Sequence, residues 1–521
     1  MIKDIRLRLD PATAHDPEKV KKTACSSAGF KESDVTRCDV IRRNIDARQR
    51  RIWIDMEVRL YSGEDNDIPA RYKSPDFQPL KADAPHAVVV GAGPAGLFAS
   101  LKLIEHGIKP ILLERGKDVD SRRKDMAAIS REGIVNPDSN YCFGEGGAGA
   151  FSDGKLFTRS KKRGNTDSVL AILHRHGAQD RILIDAHPHI GTDRLPEVIK
   201  AIRHTIERCG GEIHFNTRVT DLLFNDRHDE VIGVVTAGGE QYLGPVILAT
   251  GHSARDVFYF LQRAGVSMEP KGIAVGVRLE HPQQLIDQIR YHNPQGRGPY
   301  LPPAEYTMLT RVDGRAVYSF CMCPGGVVIP ASSAPGELVV NGMSASSRGG
   351  RWANSGMVVE VLPEDVEGDD PLRMLEFQKG IERRFYEDIP DGSQKAPAQR
   401  MTDFIDGRQS KSLPASSYPP GVYSSRIDRL LPPQIAYRLQ DGFKEFGRKH
   451  KGFVTPDAIL IGDETRTSSP VRIPRDKELL NHIEVKGLYP CGEGAGYAGG
   501  IVSAAVDGQR CAEALASQLK N

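Results

Sequence analysis

Three glycines and one carboxylate mark the segment of this sequence with the most recognisable chemistry. Gly91, Gly93 and Gly96 follow the valine run 88–90, and Glu114 follows a second apolar run. In a dinucleotide-binding unit, such glycines permit a tight turn, a close approach of backbone to pyrophosphate, and close packing of a helix on a sheet. The helix N-terminus then offers N–H groups to phosphates, and the acid accepts hydrogen bonds from ribose hydroxyls. The spacing predicts a dinucleotide site, with NAD and FAD both open at this point.

The carboxylate also bears on the form of the dinucleotide. Glu114 would oppose a ribose 2′-phosphate, because two anions would meet there without a compensating cation. Arg115 comes directly after it and offers such a cation. The pair therefore disfavours a 2′-phosphate without excluding it.

A glycine-dense segment at residues 139–153 predicts a loop that presents backbone to a ligand. It contains too many glycines for a stable helix or strand. Phe143 and Phe151 lie within it, and two large apolar side chains indicate a loop that packs against the protein. Its central residues Gly146, Gly147 and Ala148 are therefore candidates for contact with the cofactor.

Two more segments carry the same small-residue signal. Residues 488–500 form a second glycine-dense loop, which opens a helix of small residues from Ile501. The N-terminus of that helix would stabilise negative charge. A strand that ends in Thr250 and Gly251 would also lie beside the cofactor, because a larger side chain there would collide with it.

Cys321 and Cys323, separated by one residue, are candidates for redox chemistry. They could form a dithiol, contribute half of a metal site, or serve as small packing residues at the end of a strand. One residue of separation makes a strained disulfide ring. No second Cys or His pair at metal-ligand spacing follows, so the sequence predicts no metal site.

Arg466 and Tyr497 are the other candidate catalytic residues. Arg466 lies in a Ser- and Thr-rich stretch just before the C-terminal glycine loop, where it could clamp a substrate carboxylate through two hydrogen bonds. The alternative is a surface ion pair with Asp463 or Glu464. The alternative to a catalytic role for Tyr497 is that its side chain only packs or binds phosphate.

The N-terminal residues predict a small βαββ module of ferredoxin-like type. The helix should begin after Asp16 as its cap. The predicted elements are strand Ile2–Leu9, helix Pro17–Ala28, and strands Cys38–Ile45 and Arg51–Leu60 joined by a hairpin turn.

Clustered arginines near that hairpin raise a second function class, because they attract phosphate and could bind RNA. The strands lack the aromatic signature that stacks bases, and acids lie among them, which argues against nucleic acid. We expect the module to dock on the next domain or on a partner subunit. The arginines are Arg42, Arg43, Arg48, Arg50 and Arg51.

The chain of 521 residues predicts more than one domain. We expect the βαββ module and a linker over residues 1–75, and a doubly wound, Rossmann-like α/β domain over residues 86–270. That domain resumes at residues 455–521. Residues 271–454 change character, with more Pro, Arg and Tyr, and predict an inserted α+β substrate or cap domain.

Composition excludes several other classes. The 70 basic and 68 acidic residues leave a formal charge of +2, which indicates neither nucleic acid nor an acidic membrane surface. No apolar run reaches the roughly 20 residues that span a bilayer, and the N-terminus lacks the apolar stretch of a signal peptide. The 8 cysteines are scattered as in a reducing compartment. These features predict a cytoplasmic protein.

Together the motifs resemble the glutathione-reductase-type FAD flavoproteins, and they look closest to the family of uncharacterised FAD-dependent dehydrogenases. The resemblance favours FAD over NAD, because NAD would not account for the C-terminal loop and helix. It implies that Val219 lies near adenine and that Glu493 contacts ribityl and phosphate oxygens. The predicted cofactor-binding residues are Gly91, Gly93, Pro94, Ala95, Gly96, Glu114, Arg115, Gly146, Gly147, Ala148, Val219, Thr250, Gly251, Gly492, Glu493, Gly499, Gly500 and Ile501.

The resemblance further implies an FAD-dependent oxidoreductase that moves a hydride or electrons to or from a small organic substrate. The middle of the chain carries no second strand-linked fingerprint, so NAD(P)H would bind only transiently as a donor. An RNA-associated or otherwise non-redox FAD-binding protein remains the alternative.

Overall fold

The computed structural model describes residues 1–62, 74–158 and 164–520. Residues 63–73, which belong to the predicted linker, lie outside the described residues. The helices are α1 (Pro11–Ala14), α2 (Pro17–Ala28), α3 (Pro94–Glu105), α4 (Arg122–Glu132), α5 (Thr166–Arg175), α6 (Leu195–Arg208), α7 (Arg255–Arg263), α8 (Gln283–Tyr291), α9 (Arg373–Glu387), α10 (Met401–Ile405), α11 (Ile427–Leu430), α12 (Pro433–Lys449) and α13 (Ile501–Lys520).

The strands are distributed over five sheets. They are β1 (Ile2–Leu9), β2 (Val35–Asp46), β3 (Trp53–Ser62), β4 (His86–Val90), β5 (Lys109–Leu113), β6 (Glu212–His214), β7 (Val219–Phe224), β8 (Val231–Thr236), β9 (Gln241–Leu243), β10 (Val246–Leu248), β11 (Glu269–Pro270), β12 (Ile273–Pro282), β13 (Leu309–Val312), β14 (Arg315–Pro330), β15 (Val340–Met343), β16 (Trp352–Val361), β17 (Ala396–Arg400), β18 (Val422–Ser424), β19 (Ile459–Glu464), β20 (Val471–Arg472) and β21 (Leu488–Pro490).

The N-terminal residues form an antiparallel sheet of order β1-β3-β2 with α2 packed on one face. The predicted helix has its expected bounds, because the Asp16 side chain accepts hydrogen bonds from the backbone N–H groups of Glu18 and Lys19. The edge strand β2 contacts the loop around Asp185: Ala186 donates its backbone N–H to Arg43 at 2.9 Å. The Arg43 guanidinium lies 2.7 Å from the Asp185 carboxylate. The module thus docks on the same chain.

A parallel five-stranded sheet of order β21-β10-β4-β5-β6 carries the predicted fingerprint. Val88 and Val89 of β4 are fully buried, as a strand covered on both faces requires. Helices α3 and α13 lie together on one face, and they touch because their contact residues are small. A Cβ on Gly508 would lie 2.1 Å from the carbonyl oxygen of Ala95.

A second large sheet has the order β13-β14-β16-β12-β19-β17-β18, with β15 paired to β14. The predicted boundary at residue 455 assigned β19 to the FAD-binding domain. Its hydrogen-bonded neighbours are instead β12 and β17. The strand is buried on both faces, and a continuous apolar run does not show which of two sheets it joins.

None of the helices in the described ranges is both long and apolar enough to cross a membrane.

Candidate functional site

A cleft with about 1400 Å³ of empty space, including its open mouth, lies where β4, β5 and β10 end. In open parallel sheets, ligands bind beyond the carboxyl ends of the strands. One wall comes from the parallel sheet and its loops, and the opposite wall includes Phe320, Cys321 and Asn341 from the second sheet. The predicted residues that line the cleft are Gly91, Gly93, Pro94, Ala95, Glu114, Arg115, Gly147, Ala148, Val219, Thr250, Gly251, Glu493, Gly499, Gly500 and Ile501.

The glycines of the first wall fall into two groups. A Cβ on Gly96 would lie 1.9 Å from the carbonyl oxygen of Gly91, and a Cβ on Gly91 would lie 2.6 Å from that of Ala249. These glycines are required by packing. A Cβ on Gly93 or Gly500 would meet nothing within 4 Å. The second group lines the cleft, so these positions leave room for a ligand against the backbone.

Three predicted cofactor contacts do not line the cleft. Gly96 packs α3 on the sheet, as described above. Gly146 donates its backbone N–H to Ala92 at 2.8 Å, and Gly492 donates its own to Asp507 at 2.8 Å. Spacing had given Gly96 a packing role, but it did not separate Gly146 and Gly492 from the glycines that face the cleft, because both kinds occur in the same loops.

Glu114 connects three loops at the edge of the cleft. Its Oε1 accepts backbone N–H groups of Gly116 and Gly144, both at 2.9 Å, and its Oε2 accepts that of Ala92 at 2.8 Å. A carboxylate has about four acceptor positions, so capacity for a ribose hydroxyl remains. The sequence predicted the ribose role and missed the contact with the glycine loop, whose partner is 30 residues away.

The Arg115 guanidinium is matched by carboxylates. It lies 2.8 Å from both Asp138 and Asp256, and it stacks on the Phe143 ring at 4.3 Å. This environment compensates the positive charge that would otherwise favour a 2′-phosphate. On the same wall, the Nδ1 of His252 lies 3.3 Å from the Oε1 of Glu493.

Arg466 belongs to a buried ion-pair network at the inner end of the cleft. Its Nη2 lies 2.8 Å from Glu337 and 2.9 Å from Glu382, and Arg255 lies 2.6 Å from the same Glu382. Burial opposes ionisation of Glu382, but the two guanidinium groups lower its pKa. Of the two alternatives for Arg466, the surface pair with Asp463 or Glu464 is not what the structure shows, because the partners of Arg466 come from segments more than 80 residues away.

Tyr497 lies outside the cleft. Its ring packs under the Arg475 guanidinium at 3.8 Å, and its hydroxyl accepts the backbone N–H of Arg475 at 3.1 Å. Arg475 also lies beside Cys491, Asp507 and Cys511, the one group in the described ranges with metal-ligand proximity. The Arg475 guanidinium pairs with Asp507 at 2.6 Å, and a cation in that position disfavours a metal ion.

The two cysteines of the Cys-x-Cys pair have different surroundings. Cys321 lines the cleft, whereas Cys323 is fully buried behind it. The Nζ of Lys155 lies 3.8 Å from the Cys323 sulfur. The loop that carries Lys155 thus reaches from the parallel sheet to the second sheet, a contact that the sequence did not predict.

Family models account for these features in three segments. Residues 85–242 match an FAD binding domain, and residues 272–467 match the C-terminal domain-like model of FAD-dependent proteins. Residues 1–61 match a domain of unknown function, DUF8436. The chain is therefore an FAD-binding flavoprotein with a mixed α/β fold. The matching FAD-binding family differs from the glutathione-reductase type, so that finer assignment is not confirmed.

A relative identifies the family over the whole chain. An uncharacterized protein of Clostridium beijerinckii is 42% identical over 529 residues, which cover 98% of this chain and 97% of the relative. The chain belongs to the family of that protein.

Solved flavoprotein structures resemble the chain only distantly, and they support no argument about its residues. The flavin-dependent brominase Bmp2 is 13% identical, with a TM-score of 0.38, over 84% of this chain and 80% of its own. A geranylgeranyl bacteriochlorophyll reductase-like protein from Thermoplasma acidophilum is 12% identical, with a TM-score of 0.35, over 84% of this chain and 79% of its own.

Proposed function

We propose that the protein is an FAD-dependent oxidoreductase, a dehydrogenase or reductase that binds FAD non-covalently and acts on a small organic substrate. The observation that carries this proposal is the cleft itself. Its first wall is backbone with open space at Gly93, Gly251, Gly499 and Gly500, and its second wall carries reactive and polar side chains. When bound, FAD would supply hydride or electron transfer.

The residues of the first wall suit the successive parts of FAD. The α3 N-terminus, with Gly91 and Gly93, would hold the pyrophosphate, because its N–H groups and helix dipole favour anions. Glu114 would accept a ribose hydroxyl, and Val219, which lines the cleft, would lie beside adenine. The N-terminus of α13 at Gly500 would place its positive end beside the flavin, where it favours the reduced, anionic form.

The second wall would bind the substrate. Phe320 offers an apolar surface, Asn341 offers an amide, and Arg466 lies at the inner end. Since Arg466 is already paired with two carboxylates, we assign it the role of holding Glu337 and Glu382 in place. Residues between the two sheets would exclude water from the reacting atoms.

Gly93→Val tests the cofactor site. The backbone φ of Gly93 is −75° and a Cβ there meets open space, so the variant should fold. The valine side chain would occupy the position of the pyrophosphate, so we expect the variant to lose its bound flavin. Flavin content is measured by the absorbance of the protein and by the flavin released on denaturation. Gly380→Ala is the matched control, since a Cβ there also meets open space and the residue is exposed on α9. Normal flavin content in Gly93→Val would contradict the proposal.

The electron donor is tested by anaerobic mixing. We expect NADH or NADPH to bleach the flavin in a bimolecular step that does not saturate at low concentration, as a transient donor requires. If neither donor nor a chemical reductant reduces the bound flavin, a non-redox role is favoured.

The RNA-associated alternative rests on the hairpin arginines. Arg48 lies 2.8 Å from Asp46, and Arg51 stacks on Trp53 at 4.1 Å. These contacts compensate part of the charge that would attract a phosphate backbone. Salt-sensitive RNA binding by the full chain would promote the alternative.

A further inference from the structure

An irregularity in β14 directs one cysteine toward the cleft. The pairing of β14 with β16 shifts register between Phe320 and Cys323, as in a β-bulge. Cys321 lies within the shift and adopts a φ of +47°, a backbone conformation that residues other than glycine rarely adopt. Bulges re-aim side chains next to active sites. This bulge exposes Cys321 to the cleft while Cys323 faces the interior.

Two cations surround the buried member of the pair. The Cys323 sulfur lies 3.4 Å from the Nη2 of Arg278 and 3.8 Å from the Nζ of Lys155. Arg278 also donates to the backbone carbonyl of Cys321 at 2.7 Å. The Cys323 thiol donates to the same carbonyl, that of Cys321, at 3.4 Å, so the two cysteines lie against each other.

Carboxylates hold both cations in place. Asp153 lies 2.9 Å from Lys155, and Glu464 lies 3.0 Å from Arg278. Burial opposes the charge on Lys155, but the neighbouring thiols and Asp153 raise its pKa. The ammonium group is therefore charged at neutral pH, and it lies beside the Cys323 sulfur although the Lys155 side chain is 31% exposed.

The arrangement gives the two sulfurs opposite proton affinities. The hydrogen bond with Cys323, together with Lys155 and Arg278, lowers the pKa of Cys321 well below its ordinary value, although burial opposes this shift. The hydrogen bond with Cys321 and burial raise the pKa of Cys323 well above its ordinary value. These shifts favour the thiolate form of Cys321 at the cleft and the thiol form of Cys323 behind it.

We propose that Cys321 and Cys323 are a redox-active dithiol that exchanges two electrons with flavin in the adjacent cleft. This proposal rests on the proposed function and assigns it a second electron carrier. In the oxidising direction the Cys321 thiolate and the Cys323 thiol form an S–S bond and release two electrons and one proton. Oxidised flavin takes up both electrons and that proton.

The reverse reaction breaks the S–S bond with two electrons and one proton from reduced flavin. The one-residue spacing strains the ring, and a strained disulfide is more readily reduced. Lys155 and Arg278 lie beside the pair and favour the negative charge that the two sulfurs share when the bond breaks. The same two cations disfavour a metal ion at these sulfurs, and a mere packing role would not require a charged pair beside buried thiols.

The first experiment is independent of flavin. The full chain is equilibrated in glutathione redox buffers and its free thiols are then alkylated. After digestion, mass spectrometry measures the mass of the peptide that contains both cysteines. We expect a Cys321–Cys323 disulfide that forms reversibly, and none in Cys323→Ser. Cys142→Ser is the matched control, because Cys142 lines the same cleft and has no role in this bond. Complete alkylation of both cysteines even in diamide would overturn the proposal.

The second experiment links the pair to flavin by counting electrons. In an anaerobic dithionite titration, the flavin-loaded wild type should accept a second electron pair per flavin, whereas Cys323→Ser should accept one pair. The same variant leaves the Cys321 thiolate unpaired, and we expect a long-wavelength thiolate-to-flavin absorbance band. Lys155→Met should shift the appearance of that band to higher pH, and Lys155→Arg should largely restore it.

The two proposals fail in distinguishable ways. If the chain binds no flavin while the disulfide still forms, the oxidoreductase proposal and the flavin partner of the dithiol are overturned. If flavin binds and is reduced but the electron count is equal in wild type and Cys323→Ser, only the dithiol proposal is overturned.

Discussion

The two walls of the cleft are built from different chemistry. The wall from the parallel sheet is mostly backbone, where glycines such as Gly93 and Gly500 leave space for a ligand. The wall from the second sheet is made of side chains, and several of the charged groups behind it are fully buried. Arg278 there is 0% exposed and Glu382 is 0% exposed. In the proposed function, the first wall would bind FAD by its shape and its N–H groups, whereas the second wall depends on charges kept away from water.

This difference decides how each wall responds to substitution. A glycine that faces open space tolerates a side chain in the folded protein and loses only its ligand. A buried charge that loses its partner has no solvent to replace it, so the protein itself is destabilised. We therefore expect cofactor loss without unfolding from changes in the first wall, and loss of stability from changes in the second.

Arg466→Met should have the largest effect on stability. It leaves two carboxylates, Glu337 and Glu382, to share the Arg255 guanidinium, at 2.8 and 2.6 Å. Removing one member of a buried ion pair costs about 3–5 kcal/mol, and urea unfolding of the protein would measure it. Arg448→Met, in a pair whose arginine is 66% exposed, is the control. A loss of less than about 1 kcal/mol for Arg466→Met would show that solvent reaches this wall.

The pH dependence of stability tests the same wall with a smaller effect. Burial raises the pKa of Glu464 from 4.5 to about 7, so the folded state favours its neutral form. The stability that this shift contributes is complete below pH 4.5 and is lost as the pH rises through 7. Comparing Glu464→Gln with wild type from pH 4.5 to 8 should show wild type losing on the order of 1–3 kcal/mol relative to the variant.

The control for this pH series is Glu364→Gln, at a side chain that is 65% exposed. Its stability should follow the wild-type curve throughout. Parallel curves for wild type and Glu464→Gln would mean that Glu464 is ionised in the folded protein at every pH tested.

Asp256→Asn should have the smallest effect and sharpens the comparison. Arg115 and Asp256 form the same kind of pair as the second wall contains, with a distance of 2.8 Å, but Asp256 is 44% exposed. Pairs open to solvent contribute roughly 0.2–1 kcal/mol, so thermal unfolding should change little. Arg115 keeps Asp138 at 2.8 Å in this variant. A loss of stability as large as that of Arg466→Met would show that the exposed pair contributes as much as the buried network, and the two walls would then not differ in this respect.

Much of the first wall could be predicted because its determinants are local. The strand, turn, helix and strand of residues 86–113 follow from valines, glycines and spacing within about one βαβ unit. The capped helix after Asp16 and the helix from Ile501 are confirmed for the same reason. Phe143 and Phe151 are buried, as the packed glycine loop required.

The prediction failed where a residue's partners are distant in sequence. The sequence left Arg466 open between a substrate clamp and a surface pair with Asp463 or Glu464, and it did not show that β19 belongs to the second sheet. It also identified the Cys-x-Cys pair without showing that a bulge separates a cleft-facing thiol from a buried one. Register shifts and long-range ion pairs leave no periodic signal in one chain.

The amino-acid sequence by itself determined the dinucleotide fingerprint and the small-residue loops, since these depend on backbone conformations that glycine spacing dictates, and the resemblance to flavoproteins then favoured FAD over NAD. Only the tertiary structure decided that Gly93 and Gly500 line the cleft and that Gly146 and Gly492 do not. It also decided that Lys155 and Arg278 meet at Cys323, more than 40 residues from either. The reason is physical: backbone geometry is a property of neighbouring residues, whereas the desolvation and pairing of charges depend on what the whole fold brings together.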